Sequence, residues 1–147
     1  IEDDLLPTAR ELGVGIVAFG VLLSGLIGGS SQEEKLKSIG QRISPEALAT
    51  MQANLARTDA LKQIAVEKGA TLAQLAIAWV LAQGEDIIAL VGSRTASQIK
   101  DTIQALNVKL TKEDLDRINR IMPKEEATSS YMLDVDIDSK GLFHAKQ

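Results

Sequence analysis

Two short apolar segments constrain the fold of this chain more than any other feature of its sequence. Residues 15–19 are Gly-Ile-Val-Ala-Phe, and residues 87–91 are Ile-Ile-Ala-Leu-Val. Continuous apolarity, without the alternation of a half-exposed strand, is typical of parallel strands that are buried on both faces. Helical periodicity fills the chain between and after them, and strands that alternate with helices indicate βαβ units. The sequence therefore predicts an α/β fold with a parallel sheet.

Apolar spacing and helix-end signals predict five helices around these strands. Thr71 and Gln74 have the spacing of a capping box at the start of one of them. The inward face of the long second helix is predicted to carry Leu55, Ala60, Leu61, Ile64 and Ala65. The predicted ranges are 3–12, 45–68, 72–83, 95–106 and about ten residues from Thr111. After Pro123 the tail, residues 124–147, is predicted to be polar and irregular.

Two strands are too few for a closed or doubly covered sheet. Since both segments are apolar on both faces, we expect further strands, supplied by residues before Ile1 or by another chain. The chain begins with Ile1 and not with Met. We therefore expect a processed, truncated or partial form of something longer.

Composition excludes several classes of function. The absence of Cys excludes disulfide scaffolds, thiolate zinc sites and cysteine nucleophiles. A net charge of −4 disfavours nucleic-acid binding, which depends on phosphate neutralisation. The apolar run at residues 14–29 contains five glycines, is too short to span a bilayer and lacks a basic leader. We expect a soluble, cytoplasmic protein with neither nucleic acid nor a membrane as its partner.

Each predicted strand runs into a turn that could bind an anion. Gly20, Gly25, Gly28 and Gly29 follow the first strand. Glycine lets backbone N–H groups approach an anion closely, and ligands bind at the carboxyl ends of strands in parallel α/β folds. The spacing matches neither a Walker loop nor a dinucleotide fingerprint, so an ordinary flexible loop remains an equal alternative.

The turn after the second strand is the stronger candidate. Gly92, Ser93 and Arg94 stand between that strand and a helix N-terminus, where free N–H groups and the helix dipole favour an anion. The guanidinium of Arg94 matches phosphate geometry. Helical spacing places three further polar residues on the same face, which would suit an adenosine 2′-phosphate: Gln98, Asp101 and Thr102. The alternative is a solvated helix face with an isolated arginine.

No other residues predict chemistry. His144 and Tyr131 are the only residues of their types, and both lie in the tail. We find no pair of nucleophile and base. The aspartates within residues 134–145 have calcium-loop spacing but lack the required glycine and glutamate, so no metal site is predicted.

Four sequence segments form a recognisable set. They are LPTARELGVGIVAF at 6–19 with Leu22, Gly25 and Leu26, TLAQLAIAWVL at 71–81, VGSRT at 91–95 with Gln98 and Ile99, and LTKEDL at 110–115. Taken together, these segments resemble the C-terminal part of the aldo-keto reductases, and the resemblance covers about residues 3–123.

The resemblance implies a TIM (β/α)8 barrel that binds NADPH or NADP+ and reduces aldehydes and ketones to alcohols. Residues 1–123 of this chain would supply barrel strands seven and eight with their helices, and residues 124–147 would be a C-terminal tail. Its partners would be a small carbonyl substrate and the missing N-terminal part of the barrel. By carry-over, the pyrophosphate would lie on Gly20, Val21, Leu22, Leu23 and Ser24. The 2′-phosphate would lie on Gly92, Ser93 and Arg94, and the adenine end would lie on Gln98, Asp101 and Thr102.

The chain departs from the family pattern at several positions. Gly20 and Val21 replace a usual Ser-Pro, Asp101 replaces a usual Glu, and Thr102 replaces a usual Asn. The family's catalytic Asp, Tyr, Lys and His come from earlier strands and have no counterpart here. No catalytic residue is therefore predicted, and the chain alone is expected to be inactive.

Two alternatives stay open at this stage. Some members of the family are sensor or regulatory subunits that bind NADPH with slow or no turnover. The chain could also be a self-standing α/β module that binds a phosphate-bearing ligand.

Overall fold

The computed structural model describes residues 1–22, 27, 37, 45–123, 135–137 and 143–145. Within these ranges the helices are α1 (Leu5–Glu11), α2 (Pro45–Glu67), α3 (Leu72–Leu81), α4 (Ala96–Gln104) and α5 (Lys112–Ile121), and a 3₁₀ turn (Ala105–Asn107) follows α4. The strands are β1 (Ile16–Ala18), β2 (Ile87–Ala89), β3 (Val135–Ile137) and β4 (Phe143–Ala145).

The first two strands pair in parallel, as the sequence predicts. Ile16 is opposite Ile87 and Ala18 is opposite Ala89. Backbone bonds extend the pairing at both ends: the N–H of Ile16 donates to the carbonyl of Asp86, and the N–H of Leu90 donates to that of Ala18, each at 2.8 Å. The two strands therefore start and end together, which places the segments that follow them at one edge.

Only one face of this strand pair is covered within the described residues. Ile87 is buried and α3 packs against β2. Val17 and Ile88, which point to the other side, are 56% and 62% exposed. The expectation that both strands are buried on both faces is therefore wrong for this chain, because the helices supply a single layer and no described segment supplies a second.

The core lies between α2, α3 and α5. Its buried members are Ile64, Ala65, Leu72, Leu75 and Ile118, and Leu61, Trp79, Leu110 and Ile121 pack against them. This confirms Leu61, Ile64 and Ala65 among the inward positions predicted in α2, whereas Leu55 is half-buried and is not part of this cluster. Ala60 is exposed, because the buried stripe of α2 passes through Thr58, Ile64 and Ala65 and leaves residue 60 to one side.

Local chemistry explains where the helices start and stop. The predicted capping box of α3 is confirmed: the N–H of Gln74 donates to the Thr71 hydroxyl at 3.2 Å, and the N–H of Thr71 donates to the Gln74 amide oxygen at 2.9 Å. Thr111 caps α5 in the same way with Asp114. Gly69 ends α2 with a φ of +62°, a left-handed conformation that favours glycine.

The tail differs from the prediction of an irregular segment. β3 and β4 pair antiparallel, with Val135 opposite Ala145 and Ile137 opposite Phe143. The sequence of β3 alternates apolar and polar residues, as in a half-exposed strand. This alternation covers only three residues, which is too short to predict a strand within a polar tail.

Ion pairs join elements that are distant in sequence. Arg117 of α5 bonds Glu67 at the end of α2 at 2.7 and 3.0 Å, and Lys68 pairs with the buried carboxylate of Asp114. Burial raises the pKa of Asp114, but the ammonium of Lys68 and the hydrogen bonds from Thr111 outweigh it and lower that pKa to about 2. These contacts fix α2 against the start of α5.

At the amino edge of the strand pair, Arg10 of α1 binds Asp86 through two hydrogen bonds of 2.8 and 3.1 Å. Arg10 also donates to the carbonyl of Gln83 at 2.6 Å. We call these contacts the amino-edge clasp. The hydrogen bond from Arg10 lowers the pKa of Asp86. Gly84 lies against this clasp, where a Cβ would collide with both charged groups.

In the described ranges, no single helix is both long and apolar enough to cross a bilayer. Residues 51–67 of α2 and helix α3 meet that test only together, and they bend by 84° where they meet.

Candidate functional site

The two turns predicted to bind an anion lie at the same edge of the sheet. Gly20 follows β1 and Gly92 follows β2, and the ends of these strands, Ala18 and Ala89, are paired. Both turns therefore leave the carboxyl edge of one parallel pair. This is the edge at which parallel α/β folds bind ligands, and we call the two turns together the carboxyl-edge site.

The first turn is open at its glycine. Gly20 has a φ of +72°, in the region that favours glycine, and no atom of the described residues lies within 4 Å of the place where a Cβ would be. A ligand could therefore approach the backbone of Gly20 closely. Val21 and Leu22 are half-buried, and the carbonyl of Leu22 accepts from the N–H of Ile27. The predictions for Leu23 and Ser24 lie outside the described residues.

The second turn leads directly into α4. Thr95 is the N-cap residue, and its hydroxyl accepts from the N–H of Gln98 at 3.2 Å. The amide oxygen of Gln98 in turn accepts from the N–H of Arg94 at 2.8 Å. The prediction for this turn did not include Thr95, although Thr95 and Gln98 repeat the three-residue spacing of Thr71 and Gln74.

The second turn carries a cation that is available to a ligand. Arg94 is exposed, and within the described part of the chain its guanidinium has no hydrogen bond or ion pair. The first turn of α4 contains no acidic residue that could neutralise it. The N–H groups of the first residues of a helix have no partner inside the helix. The start of α4 therefore offers a positive charge and backbone donors to the same ligand.

The three polar residues of α4 predicted beside Arg94 have different environments. Gln98 is exposed and uses its amide oxygen on the turn, whereas Thr102 is half-buried. Asp101 is bound by Gln74 of α3, whose amide nitrogen donates to the carboxylate at 2.7 Å and to the backbone carbonyl at 3.0 Å. No signal in the sequence connects Gln74 with this region, because its spacing from Thr71 indicates only a helix cap.

Other candidates in the described residues are weaker. An open depression of about 340 Å³ lies beside Arg10, Gly15 and Asp86 at the amino edge, but its one cation, Arg10, is already bound to Asp86. Among the residues that the structure describes, no three His, Cys, Asp or Glu side chains come together as metal ligands. Tyr131 and the side chain of His144 lie outside the described residues. The carboxyl-edge site thus remains the best candidate.

Comparison with known proteins relates the chain to one family. The model of the aldo/keto reductase family matches residues 1–123. The chain is 34% identical over 122 residues to an uncharacterized oxidoreductase, YrpG, of Bacillus subtilis, and 35% identical over 125 residues to "Probable aldo-keto reductase 1" of Glycine max. These matches cover 83% and 84% of this chain and 36% of each relative. The chain therefore spans about a third of the length of the curated relatives it matches.

A solved structure agrees at the level of the fold. The crystal structure of a thermostable aldo-keto reductase with the inhibitor epalrestat is similar to this chain with a TM-score of 0.55. The identity is 22%, and the match covers 82% of this chain and 34% of that one.

Proposed function

The chain belongs to the aldo/keto reductase family, a family of oxidoreductases, and on that premise we propose that it supplies the NADP(H)-binding part of a carbonyl reductase. The observation that carries the proposal is the carboxyl-edge site. There Arg94 presents a guanidinium without a described partner at the start of α4, on the same sheet edge as the open backbone of Gly20.

The residues present fit the adenosine half of NADP(H). A 2′-phosphate carries negative charge and oxygen acceptors, which suit the guanidinium of Arg94 and the N–H groups at the start of α4. The turn at Gly20, Val21 and Leu22 is open enough for the pyrophosphate to approach its backbone. When bound, NADPH supplies the hydride for reduction of an aldehyde or ketone. The role of this chain is to hold and orient the cofactor.

We propose that residues 1–123 form the C-terminal part of a TIM barrel, and that residues 124–147 form its tail. In this arrangement β1 and β2 are the seventh and eighth strands, and the catalytic residues belong to the part of the barrel that is not in this chain. The uncovered face of the strand pair supports this proposal, because Val17 and Ile88 would point to the barrel interior. The exposed apolar residues of α4, Ile99 and Ile103, would contact the missing part. We therefore expect no turnover by this chain alone.

Substitution of Arg94 tests the cofactor assignment. We expect Arg94→Ala to weaken binding of NADPH by about 10- to 100-fold, since it removes charge-assisted hydrogen bonds to the 2′-phosphate. Binding of NADH, which lacks that phosphate, should change little. Titration calorimetry on the 147-residue chain measures both, and Lys109→Ala is the control for the lost positive charge, because Lys109 is exposed and lies outside the site. Equal losses for NADPH and NADH would contradict the assignment.

The second candidate function is an NADPH-binding sensor or regulatory subunit of the same family. It shares the carboxyl-edge site and differs only in turnover. An assay of the complete protein with NADPH and a panel of aldehydes separates the two functions. Turnover of any aldehyde supports the reductase, whereas tight NADPH binding without turnover favours the sensor.

A further inference from the structure

We propose that Gln74 is a positioning residue for the cofactor-binding face of α4, and that it acts through Asp101. The inference rests on the proposed function, because the orientation of Asp101 matters to a cofactor only if NADP(H) lies along α4.

Gln74 uses both ends of one buried amide on two different elements. The residue is 8% exposed and lies near the start of α3. Its amide oxygen accepts from the N–H of Thr71, which completes the cap of α3. Its amide nitrogen donates to the backbone carbonyl and to the carboxylate of Asp101, 27 residues later in the sequence. The cap needs only the first of these contacts.

The bonds to Asp101 constrain what α4 can present to a ligand. One carboxylate oxygen is held at 2.7 Å, and the other has no hydrogen bond among the described residues. A carboxylate held from behind by a buried donor loses less conformational freedom when a ligand binds to its free oxygen. The bond to the backbone carbonyl also fixes α4 against α3, and the turn that carries Arg94 is continuous with α4.

The experiment separates this role from capping. Gln74→Glu keeps an oxygen for the N–H of Thr71, removes the amide donor and places a negative charge beside Asp101. Thr71→Ala is the matched control, because it removes the hydroxyl that caps α3 and leaves the donor of Gln74 in place. Gln74→Glu is also combined with Asp101→Asn. In this double variant the new amide at position 101 can donate to the new carboxylate at position 74. Dissociation constants for 2′,5′-ADP and thermal midpoints are measured on the 147-residue chain.

We expect Gln74→Glu to weaken 2′,5′-ADP binding about tenfold, as for the loss of one hydrogen bond to a charged group. Thr71→Ala should lower the thermal midpoint and change the dissociation constant by less than about twofold. When Asp101→Asn is already present, adding Gln74→Glu should change the dissociation constant for 2′,5′-ADP only slightly. The reason is that the two substitutions together restore a donor and an acceptor.

Two results would overturn the inference: 2′,5′-ADP binding by Gln74→Glu that equals the wild type, or an equal loss of binding in Thr71→Ala. Should Gln74→Glu fail to fold, Gln74→Met removes the donor without adding charge and is compared with Thr71→Ala in the same way. If the wild-type chain itself does not bind 2′,5′-ADP, the proposed function fails and the inference fails with it. If the wild-type chain binds 2′,5′-ADP and the Gln74 variants bind it equally well, the proposed function stands and the positioning role of Gln74 is refuted.

Discussion

At the scale of single residues, the carboxyl-edge site and helix α4, which follows it, carry side chains with different partners. The guanidinium of Arg94, in the turn before α4, has no partner among the described residues, Gln98 bonds that turn, and Asp101 is bound by Gln74. Sequence spacing predicted that these positions lie together along α4. It could not predict the bond between Asp101 and Gln74, because helical periodicity describes one helix and contains no information about which helix packs beside it.

Asp114 gives a prediction at the same scale. Its pKa of about 2 lies below the ordinary 3.8, so its contribution to stability is complete above pH 3.8 and is lost as the pH falls through 2. We expect Asp114→Asn to lower the free energy of unfolding near neutral pH by about 2 kcal/mol, and to flatten its dependence on pH in acid. Urea denaturation from about pH 6 to about pH 2 measures both effects.

Asp59 provides the control for this prediction. It also pairs with a lysine, Lys62, but its side chain is 76% exposed. Exposed pairs contribute little, so Asp59→Asn should change the free energy of unfolding by less than about 0.5 kcal/mol at any pH. An unchanged pH profile in Asp114→Asn would show that the Lys68 pair does not stabilise the fold.

At the scale of elements, the sequence predicted the order of helices and the parallel strand pair from patterns that each segment contains by itself. The capping residue Thr71 and the helix-ending Gly69 are local signals, and the structure confirms both. The strands and α4 are shorter than the sequence predicted, since strand pairing and helix packing decide where regular structure stops. The amino-edge clasp could not be predicted, because Arg10 and Asp86 are distant in sequence.

Gly84 tests the amino-edge clasp between α1 and β2. We expect Gly84→Ala to destabilise the chain by about 1 kcal/mol, because its Cβ must displace Arg10 and Asp86 from their contact. When Arg10→Ala is already present, Gly84→Ala should lower the free energy of unfolding by less, since one of the two colliding groups is gone. Thermal or urea unfolding of the wild type, the two single variants and the double variant gives the coupling free energy between positions 84 and 10.

Gly69→Ala is the matched control for the cycle. Gly69 also has a positive φ, but no atom of the described part of the chain lies within 4 Å of the added Cβ. Its cost should therefore add to that of Arg10→Ala without coupling. Additivity of Gly84→Ala with Arg10→Ala would refute the steric account of Gly84.

At the scale of the whole molecule, the sequence predicted that β1 and β2 require further strands besides those that its own patterns indicate. The structure describes one covered face and one uncovered face, which carries Val17, Phe19, Ile88 and Leu90. The apolar composition of both strands predicts burial on both faces, and within the described residues this is correct for one face only. Sequence patterns thus predict a second layer, but they do not say which chain segment would supply it.

Neighbouring residues of β2 test this difference between the faces. Ile87 is 9% exposed and Ile88 is 62% exposed. In the 147-residue chain we expect Ile87→Thr to cost about 1–2 kcal/mol in unfolding free energy, because it places a hydroxyl among apolar atoms. Ile88→Thr should cost less than about 0.5 kcal/mol. Urea midpoints measure both, and equal costs would mean that the second face is covered after all.

The β1–β2 ladder also bears on the order in which the chain acquires its structure. Ile16 and Ile87 pair although about 70 residues separate them, so closing that loop carries an entropic cost that contacts within α2 and α3 do not. We therefore expect the helices to form early and the strand pairing that brings Gly20 and Arg94 to one edge to form late. A dinucleotide held by both turns, as proposed above, would bind only after this last step, and its binding free energy would add to the stability of the paired state.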